Sequence, residues 1–170
     1  LHRWEEPIIS GERGSGTIFF CGCNLNCIFC QNYKINHSVM GIEADEETLC
    51  RIMLDLQYQG AHNINLVTPA PHVPLIARTL PLARQAGLTI PVVYNTNAYE
   101  NVQTPKMLEG LIDIYLPDFK YVSAPLAKKY SDAEDYFAIA AQAIAEMYRQ
   151  VGNIKLDENG MAASGVLIRH

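Results

Sequence analysis

Three cysteines near the start of the chain have the spacing of a metal-cluster site. Cys23, Cys27 and Cys30 form the pattern C-x3-C-x2-C, and the aromatic Phe29 comes directly before the last cysteine. Iron–sulfur clusters are held by cysteine thiolates, and clusters that only transfer electrons commonly have four of them. Three thiolates can hold a four-iron cube and leave one iron without a protein ligand. The pattern therefore predicts a cluster whose open iron binds a substrate or cofactor directly.

Other roles for cysteine explain this pattern less well. A structural zinc site uses four nitrogen or sulfur ligands, commonly from paired motifs, and the sequence has no second pair. Cys21 lies two residues before Cys23 in a stretch with strand character, where we expect a buried packing residue. Cys50 falls within a helical pattern and has the same expected role. Neither of these two cysteines is predicted to be a ligand.

The cysteine motif and its neighbours resemble a known superfamily. C-x3-C-x-aromatic-C is typical of the radical S-adenosylmethionine (SAM) enzymes. The flanking segments 16–20 and 31–33 are similar to the pyruvate formate-lyase activating enzyme group, especially its poorly characterised paralogues. The resemblance implies a [4Fe-4S] cluster whose free iron is chelated by the amino and carboxylate groups of SAM. It also implies reductive cleavage of SAM to methionine and a 5′-deoxyadenosyl radical, while the protein positions and shields the cofactor.

The resemblance further implies residues that bind SAM. Family members have D-T-N after the third strand and D-x-K after the fourth, and these motifs contact the ribose and carboxylate of SAM. The matching positions here are Asn95, Thr96, Asn97, Asp118 and Lys120, with Asn95 standing where the pattern has a carboxylate. We expect the cofactor-binding set to include three more residues, which are Phe29, Thr68 and Arg169.

The segment after the second strand departs from the family pattern. Family members have G-G-E-P there and use its carboxylate for the SAM ammonium group, whereas this chain has Thr68-Pro69-Ala70-Pro71-His72. Carbonyl groups and the Thr68 hydroxyl still accept hydrogen bonds. A neutral site holds an ammonium group less firmly than a charged one. His72 is either an acid–base group or iron ligand, or a structural residue of a proline-rich loop.

Composition excludes several classes of protein. The 170 residues are 49% hydrophobic, and no apolar run approaches the roughly 18 to 20 residues that cross a bilayer. The 13 basic side chains are scattered and the formal charge is −5, so we expect no nucleic-acid partner. The first residues lack the features of a secretory signal, and the five cysteines lack the spacing of a disulfide framework. We therefore expect a soluble cytoplasmic protein that binds neither membrane nor nucleic acid.

Strand and helix patterns alternate along the chain. The alternation predicts an α/β fold with a parallel sheet and helices packed outside it. The expected strands are 17–20, 63–67, 91–94, 112–116 and 166–169. The expected helices are 45–59, 74–86 with a kink or split at Pro81, a short helix from 104, and 132–151. In the last helix we expect Phe137, Ala140, Ala141, Ile144 and Tyr148 to face inward, and Asn159-Gly160 predicts a hairpin turn.

The resemblance implies a partial barrel of six β/α units, and the sequence supplies five strands. We therefore expect residues 1–170 to form a single radical SAM core domain of the partial parallel (β/α)6 type. This domain is expected to be truncated after strand five and incomplete at the N-terminus. Ligands of parallel sheets bind beyond the carboxyl ends of the strands. The cysteines and the polar residues above follow strand ends, so we expect them to share one site.

The predicted function is that of a radical SAM activating enzyme. By resemblance, it abstracts hydrogen from a glycine of a partner glycyl-radical protein. The sequence has no cysteine-rich ferredoxin insertion between strands one and two, so flavodoxin or ferredoxin is the expected electron donor. Two alternatives stay open at this point. One is a radical SAM enzyme that acts on a small molecule or peptide, and the other is a non-catalytic iron–sulfur sensor.

Overall fold

A six-stranded sheet lies at the centre of the computed structural model, which describes residues 1–37 and 41–170. Its strands in the described residues are β1 (Gly16–Phe19), β2 (Ile64–Val67), β3 (Val92–Thr96), β4 (Ile114–Pro117), β5 (Lys155–Leu156) and β6 (Ala162–Val166). They lie in the order β1-β2-β3-β4-β6-β5. All neighbours pair in parallel except β5, which is antiparallel to β6. The predicted α/β fold with a parallel sheet is confirmed, with one antiparallel edge strand added.

Helices connect the strands. In the described part of the chain they are α1 (Pro7–Ser10), α2 (Tyr33–His37), α3 (Glu46–Tyr58), α4 (Val73–Gln85), α5 (Gln103–Lys106), α6 (Ala124–Ser131) and α7 (Tyr136–Val151). The start of α3 shows how local sequence fixes a helix end. The Asp45 carboxylate accepts a hydrogen bond from the Thr48 backbone N–H at 2.8 Å, which satisfies one of the unpaired donors of the first turn.

The two faces of the sheet pack against different parts of the chain. On one face, Leu66 and Tyr94 pack with buried side chains of α3 and α4 such as Met53 and Ile76. On the other face, the neighbouring positions of β3 and β4 pack against Ile9 of α1. Burying one large aliphatic side chain contributes about 1.5–3 kcal/mol, so both faces are held by apolar contacts. The N-terminal segment thereby becomes part of the core.

One helix expectation is narrowed by the structure and another needs correction. The structure has one helix, α4, that runs through Pro81 without splitting. Proline removes one backbone hydrogen bond, but the buried face that includes Leu80 and Ala83 keeps the helix packed on the sheet. The expected helix over 132–151 is α7, which begins four residues later at Tyr136, and α6 is an additional helix that lies before it. Asp132 ends α6 in the left-handed region, with φ of 55°, so a start at Asp132 is wrong.

The inward face of α7 also differs from the expectation. Ala140 and Ile144 are buried as expected, but Phe137 and Tyr148 are 44% and 51% exposed. Tyr136 and Met147, one position before each of these, are fully buried instead. A difference of one residue rotates the inward stripe by about 100° on a helix, and the packing of α7 against α5, α6 and the sheet decides which stripe is used.

The chain after α7 forms the predicted hairpin. β5 and β6 pair around the turn that contains Asn159-Gly160, and Gly160 has a φ of 77°. β6 begins four residues before the expected strand, and backbone hydrogen bonds continue its pairing with β4 as far as Arg169, whose N–H donates to Pro117 at 3.0 Å. Among the described helices, none is long and apolar enough to cross a membrane.

Candidate metal and cofactor site

A cavity of about 500 Å³ opens at the carboxyl ends of the parallel strands. Ligand sites of parallel α/β folds lie at this edge of the sheet. Its lining includes the three predicted cluster ligands, Cys23, Cys27 and Cys30. It also includes all eight predicted cofactor contacts, which are Phe29, Thr68, Asn95, Thr96, Asn97, Asp118, Lys120 and Arg169. The fold thus brings the two predicted sets of residues into one space.

Each of the three cysteine sulfurs accepts a side-chain hydrogen bond. Asn97 Nδ2 donates to Cys23 Sγ at 3.4 Å, and Asn36 Nδ2 donates to Cys30 Sγ at 3.3 Å. Ser131 Oγ donates to Cys27 Sγ at 2.9 Å. Burial raises the pKa of the Cys27 thiol, while the Ser131 hydrogen bond opposes this change.

The end of α6 holds the cysteine loop from the side. The backbone N–H of Asn26 donates to the Ser131 carbonyl at 3.2 Å, and that of Ile28 donates to the Tyr130 carbonyl at 2.9 Å. These two bonds flank Cys27 on either side in the sequence. They also satisfy carbonyl groups that the last turn of a helix leaves unpaired. The position of Cys27 is therefore fixed by an element more than 90 residues later in the chain.

The thiol set fits an iron–sulfur cube better than a single metal ion. In the described ranges, no three His, Cys, Asp or Glu side chains are arranged to hold one ion. A single zinc binds sulfur at about 2.3 Å, so its ligands crowd together, whereas a cube of four irons requires its cysteines to stand farther apart. Beside Cys30, the Asn36 Oδ1 atom is buried and accepts no hydrogen bond within the described residues. The three thiols border one cavity of about 500 Å³, which has room for a bulky bound group.

The opposite side of the cavity is a network of charges. Arg169 donates from Nε to Asp118 Oδ1 at 2.7 Å, from Nη2 to Asn95 Oδ1 at 2.7 Å and from Nη1 to Glu5 Oε2 at 3.1 Å. Lys120 Nζ donates to the other Asp118 oxygen at 2.6 Å. Charge-assisted bonds of this kind are stronger and more directional than neutral ones. Asn95 and Asp118 therefore present ordered polar groups to the cavity.

A buried carboxyl group supports the loop after β3. Glu100 accepts hydrogen bonds from the Thr96 hydroxyl at 2.6 Å and from the Tyr94 hydroxyl at 2.8 Å. Burial raises the pKa of Glu100, and the two hydrogen bonds oppose that change. The hydroxyl oxygen of Tyr136, which is also buried, lies 2.9 and 2.6 Å from the carbonyl oxygens of Asn97 and Asp118, which share its single hydrogen. The loops after β3 and β4 are thereby tied to each other.

The segment after β2 contains a strained residue and a structural histidine. Thr68 has a φ of 57°, which a β-branched residue rarely adopts. His72 Nε2 donates to the Cys21 carbonyl at 2.8 Å, and its ring lies 5.2 Å from that of Phe20. His72 is not among the cavity-lining residues. The geometry favours the structural role for His72, because its ring supports the start of the cysteine loop.

The remaining cysteines lie outside this site. Neither Cys21 nor Cys50 lines the cavity. Cys50 packs against the apolar core beneath α3. Cys21 is only partly buried and follows the end of β1, so the expectation of a buried strand position is wrong, since the chain has already left the sheet there.

Several site residues carry no signal in the sequence. Ser131, Asn36 and Glu5 are common polar residues far from the cysteines or outside any motif. Only the tertiary fold brings Ser131 to Cys27 and Glu5 to Arg169. Asn36 lies six residues after Cys30, in the short helix α2, but no motif marks it.

The chain is similar to a described family and to an uncharacterized protein. Residues 9–130 match the family described as a 4Fe-4S single cluster domain. The chain is 34% identical over 148 residues to the uncharacterized protein MJ0674 of Methanocaldococcus jannaschii, and this match covers 82% of the chain but 42% of that protein. The chain thus spans less than half of this relative.

A solved structure shares the fold. HydG, a maturase of the [FeFe]-hydrogenase, superposes with a TM-score of 0.52 at 18% sequence identity, covering 85% of this chain and 35% of HydG. At that identity the likeness concerns the fold alone. It agrees with the fold expected from the cysteine motif and the order of strands and helices. The chain belongs to the 4Fe-4S single cluster domain family, which implies a [4Fe-4S] cluster, and its fold is similar to that of HydG.

Proposed function

We propose that the protein holds a [4Fe-4S] cluster on Cys23, Cys27 and Cys30 and cleaves SAM reductively in the same cavity. The observation that carries this proposal is the shared lining: three thiols and eight polar or aromatic residues expected at a SAM site surround one space. When bound, such a cluster supplies the electron that converts SAM to methionine and a 5′-deoxyadenosyl radical. The chemistry belongs to the cofactors.

Different residues of the chain bind the cluster and SAM. The three cysteines bind iron as thiolates and leave the fourth iron to a ligand other than protein. Phe29 is 54% exposed and lines the cavity beside Cys30, where its ring can cover the cofactor. Asn95, Asp118 and the network around Arg169 offer ordered oxygen and nitrogen atoms to the ribose and carboxylate of SAM. Thr96 and Asn97 complete this polar side.

The ammonium group of SAM meets a neutral environment after β2. The segment from Thr68 to His72 has no acidic side chain, so only carbonyl oxygens and the Thr68 hydroxyl can accept its hydrogen bonds there. A charge-assisted bond to a carboxylate is about twice as strong as a neutral one. We therefore expect weaker SAM binding than a site with an acidic residue at this position provides.

The finer proposal is an activating enzyme that takes hydrogen from a glycine of a partner protein. Its support is the rim of the cavity, where Trp4 is 88% exposed and Phe19 is 42% exposed. Exposed aromatic side chains beside a site are typical of surfaces that contact another macromolecule. Flavodoxin or ferredoxin is the proposed electron donor, since Cys23, Cys27 and Cys30 provide for a single cluster.

Two other functions compete with this one. A radical SAM enzyme acting on a small molecule or peptide would use the same cavity and the same cluster. A non-catalytic iron–sulfur sensor would use the cluster alone, and the absence of an acidic residue from the segment after β2 gives it some support.

One experiment distinguishes the three functions. Protein reconstituted and reduced without oxygen is mixed with SAM, and 5′-deoxyadenosine is measured by mass spectrometry. We expect product from wild type and from Cys21→Ser, and none from Cys27→Ser. A reducible cluster that never yields 5′-deoxyadenosine would favour the sensor. Product without a glycyl radical on candidate partner proteins, checked by electron paramagnetic resonance (EPR), would favour the small-molecule or peptide enzyme.

A further inference from the structure

The three cysteine sulfurs differ in the hydrogen bonds they accept. Asn97 and Asn36 donate from neutral amides at 3.4 and 3.3 Å, and the Asn97 amide also donates to Asn24 Oδ1 at 2.9 Å. Ser131 donates to Cys27 from a hydroxyl at 2.9 Å. The Ser131 side chain is only 1% exposed, so water does not compete for this bond. Cys27 therefore has the shortest and best-shielded hydrogen bond of the three sulfurs.

A second hydroxyl supports the bond to Cys27. Tyr121 Oη lies 2.8 Å from Ser131 Oγ. A thiolate only accepts hydrogen bonds, so the single hydroxyl hydrogen of Ser131 is used for Cys27. Tyr121 must then be the donor to Ser131. The result is a chain of two donors in the same direction, from Tyr121 through Ser131 to Cys27, in which each bond polarises the next.

The backbone around this chain holds it in place. The two bonds from Asn26 and Ile28 to the end of α6 fix Cys27 relative to Ser131. Tyr121 packs edge-on against Tyr136, with ring centroids 5.4 Å apart. Both donors therefore stand on packed parts of the fold and do not depend on exposed, freely rotating side chains.

We propose that Ser131, assisted by Tyr121, sets the reduction potential of the cluster through its hydrogen bond to Cys27. This inference rests on the cluster part of the proposed function and assigns Ser131 as a positioning residue. Hydrogen bonds to cluster sulfurs are one of the factors that determine the potential of an iron–sulfur cluster. The reduced cluster carries one more negative charge, so a donor stabilises it more than the oxidised form. Ser131 consequently makes the cluster easier to reduce.

The test is the midpoint potential of the reconstituted cluster, measured by EPR-monitored redox titration without SAM. We expect Ser131→Ala to shift the one-electron equilibrium toward the oxidised form by up to about tenfold, which corresponds to a potential about 59 mV more negative. Tyr121→Phe should shift it in the same direction by less. Ser131→Thr, which keeps the hydroxyl, should restore the wild-type potential.

Ser123→Ala is the matched control, because Ser123 is an exposed residue at the other end of the same helix and makes no side-chain capping bond. We expect it to leave the potential unchanged. An unchanged potential in Ser131→Ala at full iron content would overturn the inference. If Ser131→Ala does not retain iron, the midpoint potential of Tyr121→Phe is the test. A wild-type potential in Tyr121→Phe would overturn the inference as well.

This outcome is separate from that of the proposed function. Wild type can produce 5′-deoxyadenosine while Ser131→Ala keeps its potential, in which case only the role of Ser131 fails. Conversely, the potential can shift as expected in a protein that never cleaves SAM, in which case only the catalytic proposal fails.

Discussion

The two sides of the cavity are built with different chemistry. On the thiol side, Cys23, Cys27 and Cys30 accept hydrogen bonds from neutral hydroxyl and amide groups. On the opposite side, Arg169 and Lys120 share Asp118 and bring opposite charges within 3 Å of each other. Neutral donors can orient a thiolate by hydrogen bonding, and the thiolate stays free to bind a metal. Ion pairs instead present fixed charges to a polar cofactor.

The two sides also differ in how the fold supports them. Asp118 and Arg169 follow neighbouring parallel strands, β4 and β6, and form a bridge with each other. The cysteines lie on a loop after β1, and the end of α6 holds that loop from outside the sheet. The charged side is thus built mainly on neighbouring strands, with support from Glu5 and Tyr136, whereas the thiol side depends on a helix that packs later in the chain.

The largest expected effect is on the thiol side. Cys30→Ser should abolish the cluster, because a serine hydroxyl remains protonated and is a hard ligand that does not replace a thiolate on iron. Iron and sulfide per chain, together with the visible absorption spectrum, measure the loss. Cys50→Ser is the control and should retain the cluster. Equal loss in both variants would contradict the assignment of ligands.

A change on the charged side should leave the cluster intact and weaken SAM binding. Arg169→Met removes charge-assisted hydrogen bonds to Asp118 and Glu5. A hydrogen bond to a charged group contributes about 1.5–3 kcal/mol. We therefore expect the Kd for SAM to rise by about 10- to 100-fold. Arg78→Met removes an exposed ion pair with Glu46, away from the cavity, and serves as control. Equilibrium binding to the reconstituted protein measures both. An unchanged Kd in Arg169→Met would show that the charged side does not contribute to SAM binding.

Glu100, beneath the loop after β3, should give the protein a pH-dependent stability. Burial raises its pKa above the ordinary value of 4.5, so the native state binds this proton more tightly than the unfolded state. The free energy of unfolding should therefore fall as pH rises from about 4.5 through the raised pKa, by at most about 1.4 kcal/mol per pH unit.

Glu100→Gln should remove that slope while it keeps bonds to Tyr94 and Thr96. Urea unfolding at several pH values between 4.5 and 8 measures the slope, and Glu47→Gln at an exposed position of α3 should leave it in place. A slope that persists in Glu100→Gln would assign the pH dependence to other groups.

The smallest expected effect concerns Thr68, between the two sides. The left-handed conformation costs a non-glycine residue roughly 1–2 kcal/mol, and glycine adopts it without strain at a smaller entropic cost. Thr68→Gly should thus stabilise the fold by up to about 1 kcal/mol, measured by thermal and urea unfolding. Thr104→Gly, in α5 and without a positive φ, should destabilise it. Destabilisation by both would show that Thr68 makes contacts that outweigh its strain.

Much of the site could be predicted from local sequence. The cysteine spacing and the polar residues after each strand depend on short motifs and on the shared direction of parallel strands. The three cysteines and the eight predicted cofactor contacts line the cavity, whereas His72 does not. Short apolar runs likewise placed β1 to β4 within two residues of their bounds.

What could not be predicted depends on contacts between distant segments. α6 carries a proline at its start and two lysines near its end, so its apolar stripe is short and the pattern of α7 obscured it. Ser131 acquires its role only because α6 docks on the cysteine loop. Glu5 similarly becomes a partner of Arg169 because Ile9 carries the N-terminal segment into the core. No local pattern contains that information.

The central claim is that three cysteines leave one iron of the cluster for SAM. The most direct test is the EPR spectrum of the reduced cluster before and after addition of SAM labelled with nitrogen-15 at its amino group. We expect changed g values and a coupling from the labelled nitrogen. A spectrum that stays the same at saturating SAM, in protein with four irons per chain, would contradict it.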